Sequence, residues 1–168
     1  MKRMFIFILI FIMIMLQMAI FSQLKIQAGK ADLILLVVIA LALQPEISKL
    51  DNYIFSIFAG VLIGFISAEP FWIVVVAYFC ATLFSLLLKE RLPQVPILSM
   101  IFCGIVIMTL HLFFQAFYFN FLGFNINYQT SFYNLILPSL MINIIATLPI
   151  FFIVSEVRRI VFPSLEEL

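Results

Sequence analysis

Residues 53–72 read YIFSIFAGVLIGFISAEPFW, and the spacing of the small residues in this stretch decides how the chain is read. Ser56, Gly60, Gly64 and Ala68 recur at every fourth position, so on a helix they form one smooth stripe. Phe55, Phe58, Leu62 and Phe65 lie away from that stripe. In lipid, two helices gain no hydrophobic free energy by associating, because acyl chains are as apolar as Leu. Close backbone approach at small residues is what makes packing favourable there. The stripe therefore marks a helix on which others pack, either within the bundle, which is the preferred reading, or as the interface to a partner protein. Ser67-Ala68-Glu69-Pro70 closes the stretch with a tight polar break.

The rest of the chain agrees with a membrane setting. Its 168 residues are 66% hydrophobic and 10% charged, with a mean hydropathy of +1.29. Soluble domains carry about a quarter charged residues, so the composition describes a polytopic membrane protein. The apolar runs have helical length and lack the alternation of outer-membrane strands, which makes the fold all-α. A net charge of +1 gives no case for nucleic acid or an acidic substrate. Cys80 and Cys103 sit in apolar runs without metal-ligand neighbours and read as buried thiols.

Six transmembrane helices are expected, at about 4–22, 31–44, 53–67, 70–88, 96–119 and 132–155, in one integral membrane domain. Met1-Lys2-Arg3 before an apolar run resembles a signal peptide. However, Ala19-Ile20-Phe21 puts Phe where cleavage needs a small residue, so the run is read as an uncleaved first helix interrupted mainly by Gln17. A loop, Ser22 to Lys30, carries Lys25 and Lys30. The second apolar core, Leu33 to Leu43, is about half the roughly 20 residues that cross hydrocarbon. It is read as a short crossing helix tucked between others rather than a re-entrant segment, with Asp32 as its N-cap. Ile47 to Asn52 reads as a polar turn, which leaves the third helix short as well. Trp72 is placed as an interfacial anchor on the fourth helix, which Lys89 to Pro93 ends. The uncharged stretch from Asn120 to Ser131 belongs at an interface, and Pro138 and Pro149 are tolerated in the sixth helix. Glu156, Arg158 and Arg159 stop that helix before an acidic tail, Pro163 to Leu168.

With the N-terminus in the cytoplasm, Lys2, Arg3, Lys49, Lys89, Arg91, Arg158 and Arg159 fall inside and only Lys25 and Lys30 outside. That asymmetry favours six helices with both termini cytoplasmic.

Few residues carry chemistry. His111, the only histidine, lies within the fifth helix one turn before Gln115. An intramembrane imidazole is a functional candidate by default. A metal site needs further ligands, though, and a proton relay needs embedded acids, whereas the acids here fall in loops or at helix ends. An interhelical hydrogen bond or a partner-facing role is the plainer reading. Ser139, Asn143 and Thr147 form a polar line at four-residue spacing that should face other helices. Ser67, Ser85, Ser99 and Ser139 lack a paired base, and no Gly-rich phosphate loop follows a strand. The expectation is a non-enzymatic protein with no catalytic, cofactor or metal site.

Three stretches resemble the rod shape-determining protein MreD family. Ala31-Asp32-Leu33 and the apolar run to Leu43 are similar to the family's Pro-Asp-Leu opening of its second segment, with Ala31 in place of Pro. Gly60 to Pro70 is similar to its Gly-rich helix and Ser-Gly-x-Pro-type turn. The family often carries Asp where this chain has Gly64, and Gly where it has Trp72. Leu137-Pro138-Ser139 through Asn143, ending at Val157-Arg158-Arg159, is similar to its Leu-Pro-small-x-x-x-Asn helix.

The resemblance implies a non-enzymatic scaffold of the bacterial cell-elongation complex in the inner membrane. It would bind the single-span coiled-coil protein MreC and, through it, the MreB filament and the RodA–PBP2 peptidoglycan synthase. It also implies a bundle like that of the S-components of energy-coupling-factor transporters, with two short helices packed against longer ones. A vitamin-binding S-component is the alternative, its pocket drawn from Phe124, Asn125, Asn127, Tyr128 and Gln129. On the scaffold reading Ser56, Gly60, Gly64, Ala68, His111, Gln115, Pro138, Ser139 and Asn143 serve helix packing or the partner interface. Gly60 and Gly64 are expected to seat their helix against the second or the sixth.

Overall fold

Leu33–Leu43 presents apolar side chains in every direction, so a helix made from it has no face to offer to water and needs cover on all sides. The structure, a computed structural model of the chain, describes residues 2–19, 29–91 and 96–162. Helices α1 (Lys2–Ala19), α2 (Leu33–Leu43), α3 (Lys49–Ile66), α4 (Phe71–Arg91) and α5 (Pro96–Phe121) are followed by the single turn α6 (Tyr128–Ser131). A π-helical segment, Phe132–Ile136, then leads into α7 (Leu137–Val161). The last three run on as one helix, Tyr128–Val161. It and α3, α4 and α5 are long and apolar enough to cross a membrane, while α1 and α2 are shorter apolar helices. The fold is an all-α membrane bundle of six helices. Residues 20–22 of the expected first helix, Lys25 and most of its loop, Pro93 and the tail from Pro163 lie outside the described residues.

The hub is α2. All eleven of its residues are buried, and it packs on α1, α3, α4, α5 and α7. The sequence reading makes the Gly-rich helix the hub, and here the structure differs. The principal neighbour of α3 is α4, not the second or sixth helix. A Cβ added at Gly60 would stand 3.1 Å from the Val75 Cα, and one at Gly64 would stand 2.8 Å from the Phe71 ring. Ser56 is buried on the same stripe, but Ala68 lies past the end of α3 and is exposed. The Glu69-Pro70 break turns the chain straight back, so the stripe meets the next helix in sequence.

Helix ends differ from expectation for identifiable reasons. The Ser48 hydroxyl accepts from the Asp51 amide and caps α3 at Lys49, so Lys49 to Asn52 form its first turn rather than a loop. That gives α3 18 residues, and the shorter pair is α1 and α2 instead of α2 and α3. At the end of α5, Gly123 has φ of 91°, and the Gly123 and Phe124 amides bond back to the Asn120 and Phe119 carbonyls. The Phe119 and Phe124 rings meet edge to face, 5.9 Å apart, over this left-handed cap. The wide π turn stands immediately before Pro138, whose ring would crowd the carbonyl four residues back in a regular helix. Of the two cysteines, Cys103 is buried, but Cys80 is exposed on the outward face of α4, contrary to the sequence reading.

At the C-terminal end of α2, charged residues tie the bundle together. Arg3 reaches Asp51 at 2.7 Å, and Arg158 reaches Glu46 at 2.6 Å. Lys49 pairs with Glu90, and Lys89 donates to the Gln44 carbonyl. These contacts join α1, α3, α4, α7 and the α2–α3 turn.

Close packing at α3 and α4 makes a prediction. Gly60→Leu with Gly64→Leu overpacks that contact and lowers stability by about 3 kcal/mol. Denaturation in detergent with SDS, followed by loss of helical circular dichroism, checks it. A double variant that unfolds like the parent yet loses a bound partner would make the stripe a docking surface instead.

Candidate functional site

A helix that begins inside a bundle leaves its first backbone amides without intrahelical acceptors, and lipid supplies none. At the N-terminal end of α2 the chain supplies them from distant segments. Gln17 on α1 accepts from the Ile34 amide through Oε1 at 3.2 Å. The Asp32 carboxylate accepts from the Leu35 amide at 3.0 Å, and the Asp32 carbonyl accepts from the Leu36 amide at 3.3 Å. The Asp32 oxygen that caps Leu35 also accepts from the Tyr78 hydroxyl of α4, at 2.6 Å.

The segment leading into α2 is held by α7. Asn143 uses both halves of its amide, its oxygen accepting from the Asp32 amide at 2.9 Å and its nitrogen donating to the Lys30 carbonyl at 3.1 Å. That nitrogen donates as well to the Ser139 carbonyl one turn back, at 2.7 Å. The Ser139 hydroxyl accepts from the Lys30 amide at 2.8 Å. Ser139, Asn143 and Thr147 are all buried, and Pro138 is buried beside them. The four-residue spacing puts the three polar groups in one line, and the line faces the start of α2.

Glu69, in the α3–α4 turn, adds charge. Its Oε1 lies 3.3 Å from Lys30 Nζ, and its Oε2 lies 3.1 Å from His111 Nε2 on α5. The His111 contact has the distance of an ion pair without the alignment of a good hydrogen bond. Gln115 is buried one turn further along α5. The sequence reading treats His111 without Glu69 or Lys30, and Asp32 without Tyr78. These partners come from loops and neighbouring helices, so nothing in local spacing announces them. Among the described residues no group of three His, Cys, Asp or Glu gathers to hold a metal.

At Glu69 burial pushes the carboxyl upward, but the contact with His111 and the charges of His111 and Lys30 outweigh it and hold it below 4.5.

Beside this cluster an apolar channel of about 490 Å³ runs between α4 and α5, lined by Trp72, Ala77 and Cys80 on one side and by His111, Phe114 and Tyr118 on the other. The residues considered for a transporter pocket lie elsewhere. Asn127 caps α6, the Tyr128 hydroxyl accepts from Asn120, and Phe124, Asn125 and Gln129 are exposed.

Fold and site together define a multi-pass membrane bundle built around a buried short helix, with its polar side chains turned onto its own backbone. Comparison of the chain with profiles of known families, with curated proteins and with solved structures gives no match to any of them.

Asp32→Asn keeps an oxygen that accepts from Tyr78 and Leu35 and holds close to the parent's stability, whereas Asp32→Ala loses about 2 kcal/mol with that acceptor gone. Glu69 adds a dependence on pH. Its depressed value contributes stability above 4.5 that is lost as the pH falls through the lower folded value. Glu69→Gln should cost about 2 kcal/mol at neutral pH, a gap that closes in acid. Unfolding midpoints measured across that range test both carboxyls.

Proposed function

We propose that the protein is a non-enzymatic membrane scaffold that binds partner transmembrane helices, the MreD-type member of a bacterial cell-elongation complex. Its direct partner is a single-span coiled-coil protein of the MreC type. Through that partner it connects to the MreB filament and the RodA–PBP2 synthase, and so helps to maintain rod shape. The observation that carries this reading is the use of buried polar side chains as backbone clamps. Asn143, Ser139 and Gln17 spend their hydrogen bonds on the Lys30, Asp32 and Ile34 main chain. A binding subunit for a polar solute needs such groups turned toward a ligand. A scaffold needs them to hold a fixed frame whose outer faces are free for other helices. The sequence stretches around Asp32, Gly60 and Asn143 that resemble the MreD family are also the stretches that build this frame.

The proposal sets the protein in the bacterial cytoplasmic membrane with both termini in the cytoplasm. The gathering of Arg3, Lys49, Lys89 and Arg158 at the end of the bundle opposite Lys30 supports that orientation.

Purified in mild detergent from cells that contain its neighbours, the protein should carry a single-span coiled-coil partner at a fixed ratio. Mass spectrometry of the intact complex reads this directly. A partner-free monomer that carries a bound vitamin would overturn the scaffold reading.

A further inference from the structure

The contact between α3 and α4 has two unlike halves. Toward the Glu69-Pro70 turn it is closed by Gly60 and Gly64, where there is little room even for a Cβ. One and two turns before Gly60 the same stripe carries Ser56 and Asn52 instead. Ser56 is 0% exposed and Asn52 2%. Among the described residues neither side chain has a hydrogen-bond partner. The Ser56 hydroxyl, the Asn52 oxygen and the Asn52 nitrogen are all cut off from solvent and unbonded. Buried polar groups are nearly always bonded, to protein or to ordered water, because an unbonded one keeps its full desolvation cost.

Helix α4 brings a further polar group to the same place. The Tyr78 Cβ lies 3.3 Å from where a Cβ on Gly60 would stand, and Lys49 pairs with Glu90 at the far end. The two helices therefore run antiparallel, and Thr82, one turn after Tyr78, falls level with Ser56, one turn before Gly60. Thr82 is wholly buried. Its hydroxyl donates to the Tyr78 carbonyl at 3.3 Å, which leaves the hydroxyl oxygen able to accept.

The donors and acceptors define what fits among these three side chains. Asn52 offers two N–H donors and an oxygen, Ser56 a donor and lone pairs, and Thr82 lone pairs alone. Side chains four residues apart on a helix have Cβ atoms about 5–6 Å apart, and a molecule making two bonds of about 2.9 Å bridges such a gap. The guest must accept from the nitrogen as well as donate to the oxygens, which a bare cation cannot do. A charged guest would also need a counter-charge, and the ionised neighbours on α3 are already engaged, Lys49 with Glu90 and Asp51 with Arg3. Water meets each requirement. It is also at hand, since the Lys49–Glu90 pair, less than one turn from Asn52, is exposed.

We propose that the α3–α4 contact holds buried water between Asn52, Ser56 and Thr82. The water accepts from the Asn52 nitrogen and the Ser56 hydroxyl and donates to the Asn52 and Thr82 oxygens. The small-residue stripe then joins α4 in two ways, through water at its Lys49 end and by bare backbone approach at its Glu69 end. The site is independent of partner binding, and its failure leaves the scaffold reading standing.

Nuclear magnetic resonance of the full chain in detergent tests this. Labelling with 13C-aspartate and 13C,15N-asparagine marks Asp51-Asn52, the one Asp-Asn pair in the chain, and leads from its backbone to the Asn52 side-chain amide. Those amide protons should show a cross-peak to water with the sign of a molecule that tumbles with the protein, while the exposed Asn125 amide should not. Ser56→Ala leaves Asn52 and Thr82 to hold the water, so the peak should persist, whereas a signal relayed through a directly bonded Ser56 hydroxyl would vanish. A parent without the Asn52 water peak, or a folded Ser56→Ala variant that has lost it, overturns the proposal. If Ser56→Ala does not fold, a crystal structure of the parent that shows ordered water decides the matter. Water within hydrogen-bonding distance of Asn52 and Thr82 sustains the proposal, and a direct bond from Asn52 to another side chain with no water there overturns it.

Discussion

Everything in this bundle depends on starting a helix where there is no water to receive its first amides. α2 is about 16 Å long at 1.5 Å per residue, roughly half the thickness of bilayer hydrocarbon, so its N-terminus comes to lie among other helices. Each buried backbone group left unbonded there costs several kcal/mol. The chain meets that cost with Asp32 next to the helix, Gln17 from α1 and Asn143 from α7. The three acceptors come from three places in the sequence, so satisfying one short helix fixes the relative positions of α1, α2 and α7. Tyr78 extends the same constraint to α4, and Glu69 with His111 extends it to the α3–α4 turn and α5.

The two ends of α2 are handled by different chemistry. At its start, the side-chain amides of Gln17 and Asn143, the Ser139 hydroxyl and the Asp32 carboxyl meet the backbone directly, while Glu69 adds charge nearby. At its finish, Lys89 covers the Gln44 carbonyl and formal ion pairs brace the surrounding helices. Exposed ion pairs such as Lys49–Glu90 contribute little each, and their effect comes from joining elements that would otherwise splay. Between these ends α2 itself offers only apolar side chains to its neighbours. In lipid that packing rests on close contact rather than on removal from water, which is why the glycines of α3 matter so much.

Much of the fold was legible in the sequence because apolar run length and loop charge report on lipid directly. The six helices, the shortness of the second and the Asp32 cap all came from such local signals. The start of α3 was misread because Lys49 and Asp51 look like turn residues until Ser48 is recognised as a cap. The partner of the Gly stripe was not readable either. Small-residue spacing says that a helix will approach closely, but not which one, and the short Glu69-Pro70 turn settled it in favour of α4. In the polar cluster, the line of Ser139, Asn143 and Thr147 was visible as a face. What Asn143 binds lies 111 residues earlier in the chain, at Asp32, where no periodicity reaches. Cys80 was misplaced for a related reason, since an apolar run in a membrane protein does not distinguish a face turned to lipid from one turned to protein.

That long separation between Asn143 and Asp32 bears on how the chain is made. The start of α2 leaves the ribosome well before the residue that completes its hydrogen bonds, with α3, α4 and α5 to be synthesised in between. Until α7 arrives, the Lys30 carbonyl and the Asp32 amide lack their Asn143 partner, and α2 lacks one of its covering walls. The second helix is therefore the second made and among the last to be finished. Packing of α7 is therefore what completes both the hydrogen bonding at the start of α2 and the cover over its apolar surface.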